Sequence, residues 1–163
     1  MIQVQLASIA VDSRGQPVVV LAPIDAEPGA RRLLPIWIGL PEASAIMLAV
    51  EGVEPARPQT YDLMTTLIER LGAEVAQVVV TKLEAGTFYA EITLATPAGP
   101  ELIDARPSDS IALAVRTGAP IFVAEAVFAD AGMPDAEAAG DEQHQLAEFH
   151  QFLDGVEPDD FRG

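Results

Sequence analysis

The sequence predicts an α+β domain: a mixed β-sheet with three packed helices, followed by one more C-terminal helix. Three observations predict it. Apolar residues alternate near the N-terminus and again between residues 75 and 105, which is the period of a half-buried strand. In three other segments they recur at i, i+3, i+4 and i+7, the period of a helix with one buried face. Gly and Pro mark the joins between these segments. At 163 residues, half of them hydrophobic, the chain has the length of about one domain.

Ile2, Val4 and Leu6, then Ile9 and Val11, read as a first strand. Asp12-Ser13-Arg14-Gly15 reads as its hairpin turn, and residues 18–21 and 33–38 as two further strands around a polar loop. Pro41 opens a helix with Ala43, Ile46, Met47 and Val50 on one face, ended by Gly52. Pro55 and Pro58 exclude a helix over 54–59. Thr60 reads as the N-cap of the next helix, which carries Met64, Leu67, Ile68 and Leu71 and has Gly72 at C′.

Strands follow at 75–81, 87–94 and 102–105, with Phe88, Ala90, Ile92 and Leu94 sharing a face. A third helix over 107–117 turns Ile111, Ala114 and Val115 inward and stops at Gly118 and Pro120. Residues 121–128 read as a returning strand. Ile-Met-Leu-Ala-Val at 46–50 resembles Ile-Ala-Leu-Ala-Val at 111–115. Each follows two strands and a proline, which suggests a duplicated β-β-α unit. Ala, Gly, Asp and Glu dominate 129–142 and read as an acidic linker. Leu146, Phe149 and Leu153 then mark an amphipathic helix that needs a docking surface. The main domain is expected over residues 1–130 and the tail over 131–163.

Composition removes several function classes. There is no cysteine, hence no disulfide framework, thiolate metal site or Cys nucleophile. His144 and His150 lie six residues apart, on opposite sides of a helix, which disfavours a shared metal site. No secretory signal or long apolar span is visible, so a cytoplasmic protein without a membrane partner is expected. Twenty-five acids against nine bases give a net charge of −16. Nucleic-acid binders normally carry a basic footprint, and this chain has one lysine, Lys82.

Three polar clusters interrupt the apolar pattern: Arg57-Pro58-Gln59-Thr60-Tyr61-Asp62, Asp104-Ala105-Arg106-Pro107-Ser108-Asp109, and Gly86-Thr87 before Phe88-Tyr89. In the first two an Arg-Pro pair precedes a helix and an acid follows. A helix N-terminus with such residues suits a phosphate. Its carboxylates suit Mg²⁺ or Mn²⁺. The same residues also serve as ordinary helix caps. Tyr61, Phe88, Tyr89 and Trp37 read as core or interface residues rather than base-stacking platforms.

Taken in order, Leu34-Pro35-Ile36-Trp37-Ile38-Gly39, Glu42-Ala43, Arg57-Pro58-x-Thr60-x-Asp62-Leu63, Gly86-Thr87-Phe88-Tyr89-Ala90 and Ile103-Asp104-Ala105-Arg106-Pro107-Ser108-Asp109 resemble the bifunctional nuclease family. The resemblance covers about residues 1–130, and the tail motifs around Phe149 and Phe161 are also similar to bacterial members. It implies a homo-oligomer, expected to be a dimer, with DNase and RNase activity assisted by a divalent cation, Mg²⁺ or Mn²⁺. On that reading Asp62, Asp104 and Asp109 bind the cation, Arg57 and Arg106 hold the phosphate, and Thr60 and Ser108 orient it. The two Arg-Pro clusters must then converge in space. The chain departs from the family pattern at Tyr61, where the family reads His. Tyrosine, with an ordinary pKa near 10, is a poor base at neutral pH. The alternatives are a non-catalytic oligomeric binding or regulatory module with an acidic surface, and a small-molecule binder that uses the arginines for an anion.

Overall fold

Strand and helix periods resolve into twelve elements. The computed structural model describes residues 1–25 and 32–135. In order they are β1 (Ile2–Val11), β2 (Pro17–Pro23), β3 (Arg32–Trp37), α1 (Leu40–Val50), α2 (Thr60–Arg70), β4 (Glu74–Glu84), β5 (Thr87–Thr96), β6 (Gly99–Ala105), α3 (Pro107–Thr117), β7 (Ile121–Val123), α4 (Glu125–Ala131) and β8 (Met133–Pro134). The strands form one mixed sheet in the order β6-β5-β4-β7-β1-β2-β3-β8. Every pair is antiparallel except β4 with β7. The fold is α+β, as the alternating and helical periods predict.

The sheet order explains the internal likeness. Two antiparallel meanders, β1-β2-β3 and β4-β5-β6, flank β7, and each leads into a helix. The repeated unit is therefore β-β-β-α, one strand longer than the sequence suggests. Its third strands, β3 and β6, are those the sequence reads at 33–38 and 102–105.

Helix α3 lies on β4 and β5, with α1 and α2 against it, while α4 rests on β4 and β3. Leu21, Leu34, Ile46, Val78, Val80, Ile111, Leu113 and Val123 fill a single core. Two helical faces are narrower than their periods imply. On α1, Ala43, Ala45 and Ile46 are buried but Met47 and Val50 are not. On α2, Met64 and Ile68 pack on the core, whereas Leu67 and Leu71 face outward.

The expected strand over 121–128 ends at Val123. Glu125 breaks the alternation there, and Val127 and Phe128 are buried side by side in α4. Helix α4 and β8 take the fold past residue 130, through part of the expected linker, because β8 pairs with β3. The C-terminal helix expected around Leu146 lies outside the described residues. Among the described residues no helix is long and apolar enough to cross a membrane.

Leu113→Ala should cost about 2–5 kcal/mol, because Leu113 is enclosed on all sides. Val50→Ala, at a position 56% exposed, should change stability by less than about 0.5 kcal/mol. Urea unfolding of both variants beside the wild type measures the contrast.

Candidate functional site

Each of the three helices that cover the sheet carries an acid in its first turn: Glu42 in α1, Asp62 in α2 and Asp109 in α3. Negative charge is favourable there, where unpaired backbone N–H groups and the helix dipole meet. Pro41 and Pro107 occupy the first turns of α1 and α3, where a missing N–H costs nothing. The N-termini of these helices converge on a cavity of about 860 Å³. Its wall includes Glu42, Gln59, Thr60, Tyr61, Arg106 and Asp109. The two Arg-Pro clusters therefore meet in space, as the nuclease reading requires.

Arg106 organises the cavity. Its Nε and Nη2 donate to both oxygens of Asp109 at 2.7 and 3.0 Å. Nη2 also reaches Glu42 Oε1 at 2.9 Å. Such bidentate, charge-assisted pairs hold geometry well. Its remaining nitrogen, Nη1, has no acceptor among the described residues. The Tyr61 hydroxyl donates to Asp109 Oδ1 at 2.7 Å. Gly39 leaves room for the Glu42 carboxylate: a Cβ at residue 39 would meet Oε2 and push that side chain aside.

A second arginine fixes the helices behind the cavity. Arg116, near the end of α3, donates from Nε to Asp62 Oδ1 at 2.8 Å. It also donates to the carbonyls of Ala112 and Ala45 at 3.2 and 3.0 Å, and its guanidinium lies 5.3 Å from the Tyr61 ring centre. The other oxygen of Asp62 accepts the Gln59 N–H at 2.8 Å. Gln59, not Thr60, is thus the N-cap of α2, and Thr60 is its first helical residue.

Charge follows these contacts. Arg116 and the Gln59 N–H hold the Asp62 carboxyl below its ordinary range. Burial pushes Asp109 up, but Arg106 and Tyr61 outweigh it and leave the carboxyl low. Tyr61 goes the other way: burial, then its bond to Asp109, raises its hydroxyl. It stays protonated as a donor at neutral pH.

The expected site residues divide accordingly. Arg106, Asp109 and Thr60 line the cavity. Arg57 is exposed beside Pro58 on its wall and forms no ion pair among the described residues. Asp104 borders the cavity, but strand alternation puts its side chain opposite Glu91, on the other face from Ile103 and Ala105. Asp62 faces a separate groove with Arg116. Ser108 lies in a third cavity, on the far side of Arg106. Asp62, Asp104 and Asp109 are thus not brought together. Among the described residues no three acids or imidazoles gather to hold a metal ion. Glu42 and Asp109 share a guanidinium at the place a cation would take, so this donor set does not fit a resident Mg²⁺ or Mn²⁺.

Sequence reading missed three members: Glu42, Arg116 and the hydroxyl of Tyr61. A signal for Glu42 was available, an acid in the first turn of every helix. Arg116 was signalled by a charge that directly follows the apolar run Ile111–Val115. Nothing local marks the Tyr61–Asp109 bond, which spans 48 residues.

Comparison with known proteins decides the family. A family model described as the bifunctional nuclease domain matches residues 19–136. The chain belongs to this family. It is similar to an uncharacterized protein of Mycobacterium tuberculosis, 41% identical over 167 residues and 98% of each chain. It is also similar to Bifunctional nuclease 2 of Oryza sativa subsp. japonica, 33% identical over 78% of this chain and 39% of that protein. Bifunctional nuclease 1 of Arabidopsis thaliana is 33% identical over 69% of this chain and 34% of its own length. This chain thus spans well under half the length of these two plant relatives.

Two depressed carboxyls make a pH prediction. Asp62 and Asp109 lose protons more readily folded than unfolded, so their contribution is complete above the unfolded value of about 4 and fades as pH falls further. Unfolding midpoints taken between about pH 2 and 7 should drop in acid, and Asp62→Asn should flatten part of that slope. The same variant should cost about 1–3 kcal/mol at neutral pH, because it leaves Arg116 short of a charged acceptor.

Proposed function

We propose that this chain hydrolyses phosphodiester bonds of DNA and RNA in the cavity between α1, α2 and α3. One observation carries the reading: Arg106 stands between Glu42 and Asp109 with Nη1 open, where the family motifs meet. Arg106 Nη1 and Arg57 would hold the phosphoryl oxygens and stabilise the charge that grows on them. Glu42 Oε2, which accepts no hydrogen bond among the described residues, would take a proton from the attacking water. As the new P–O bond forms, the bond to the leaving oxygen breaks, and that oxygen takes its proton from solvent. Asp109 and Tyr61 would position Arg106 and keep their own protonation states.

Tyr61 stands where the family reads His, and its raised hydroxyl makes it a donor rather than a base. The residues described do not call for a resident cation, so the test includes metal-supplemented and chelated arms. Fluorescently labelled single- and double-stranded DNA and RNA would be incubated with Mg²⁺, Mn²⁺ or EDTA. Glu42→Gln should slow cleavage by about 10²–10⁴-fold, and Asp109→Asn should slow it as well. Unchanged rates in both variants would place the activity elsewhere.

A second reading has its own support. Leu63, Leu67 and Leu71 repeat every four residues along the outer side of α2 and are all exposed. The edge strand β6 exposes Leu102 and Ile103. Apolar stripes and open edges of this kind suit association, so we place the dimer contact on α2. Sedimentation should show a dimer that Leu67→Lys converts to monomer. A wild-type monomer at high concentration would remove this reading.

A further inference from the structure

The chain carries 25 acids, and carboxylates line two of its cavities: Glu42 and Asp109 in the first, Glu54 and Asp62 in the groove beside Arg116. A third cavity of about 420 Å³ has none. Among the described residues its only charged lining residue is Arg106, whose Nε and Nη2 already pair with Asp109 and Glu42. In so acidic a molecule, a pocket free of carboxylates is the place where an anion meets least repulsion.

Three parts of the chain build it. The first is the end of β3 with Trp37 and Gly39. The second is the β4–β5 turn, where Ala85 and Gly86 both have positive φ, 49° and 80°, the shape of a tight two-residue hairpin. Thr87 and Phe88 follow that turn into the wall. The third is the N-terminus of α3, with Arg106, Pro107 and Ser108.

Ser108 is the telling residue. It is only 6% exposed, yet its hydroxyl makes no hydrogen bond with any described residue. Buried hydroxyls are normally partnered, and leaving one unpartnered costs about 1–3 kcal/mol. Ser108 sits in the first turn of an eleven-residue helix; Pro107 has no N–H and those of Asp109 and Ser110 reach the Arg106 carbonyl, so the Ser108 N–H is the open backbone donor of that turn among the described residues. Hydroxyl and helix end together offer donors to an anion. At the other side, Trp37 is 53% exposed, and its Nε1 donates to Asp12 Oδ2 at 3.0 Å, which fixes the ring's orientation. An ordered, open aromatic face is a platform for a planar base.

We infer that this cavity is a subsite for a nucleoside monophosphate, with the phosphate on Ser108 and the α3 N-terminus and the base against Trp37. The anion preference rests on the cavity alone. The choice of a nucleotide rests on the nuclease reading, and the volume is within the usual range for such ligands. The site shares Arg106 with the first cavity, so it would seat a nucleotide next to the bond being cut.

Trp37 is the single tryptophan of the chain, so its fluorescence reports occupancy directly. Adenosine 5′-monophosphate, adenosine and inorganic phosphate would each be titrated against the whole chain with excitation at the red edge of the indole band. The monophosphate should quench Trp37 saturably below about 1 mM, and more tightly than adenosine. Ser108→Ala should weaken it about tenfold. Thr87→Glu, at an exposed rim position, should weaken it about threefold or more without touching the core. Binding by a wild-type chain that cleaves none of the labelled nucleic acids sinks the nuclease reading alone. No saturable quench, equal affinity for adenosine and its monophosphate, or unchanged binding in both Ser108→Ala and Thr87→Glu would each overturn the inference.

Discussion

The architecture of the site depends on two arginines at opposite ends of α3. Arg116 is nearly buried, and a charge so placed must be fully partnered or it destabilises the fold. Its partners come from three helices: Asp62 of α2, Ala45 of α1 and Ala112 of α3 itself. That set fixes where α2 begins. The start of α2 fixes Tyr61, whose hydroxyl reaches Asp109. Asp109 with Glu42 then aims Arg106. The cavity follows from this chain of contacts, and no single loop shapes it.

Arginine suits both positions better than lysine would, because a planar fork can satisfy several fixed acceptors at once. The arrangement also answers a difficulty raised by the net charge of −16. A polyanion meets repulsion over most of this surface. On the proposed reading, binding has to be concentrated where carboxylates are already neutralised or absent. The Arg106 wall, shared by two cavities, is such a place.

Much of the fold was legible because Gly and Pro punctuate it. Pro41, Gly52, Gly72, Pro107 and Gly118 bound the helices within a residue or two of their observed ends. What failed had physical causes. Residues 121–128 are apolar enough for a strand, and only Glu125 signals the change to α4. The outward Leu67 and Leu71 fit the helical period as well as core residues do, since period alone does not tell core from interface. The convergence of the two Arg-Pro clusters was readable from family motifs. The separation of Asp62, Asp104 and Ser108 from that point was not, because it depends on which way each side chain leaves its element. Ser108 and Asp109 are adjacent in sequence yet line different cavities.

The most direct test of the central claim watches the arginines themselves. The ¹⁵N–¹Hε signals of the chain would be assigned by substitution and followed while a short oligonucleotide with a non-cleavable backbone is added. The account predicts that Arg106 shifts first and most, while Arg116, held behind the cavity, stays still. Shifts confined to other arginines, or none at all, would contradict it.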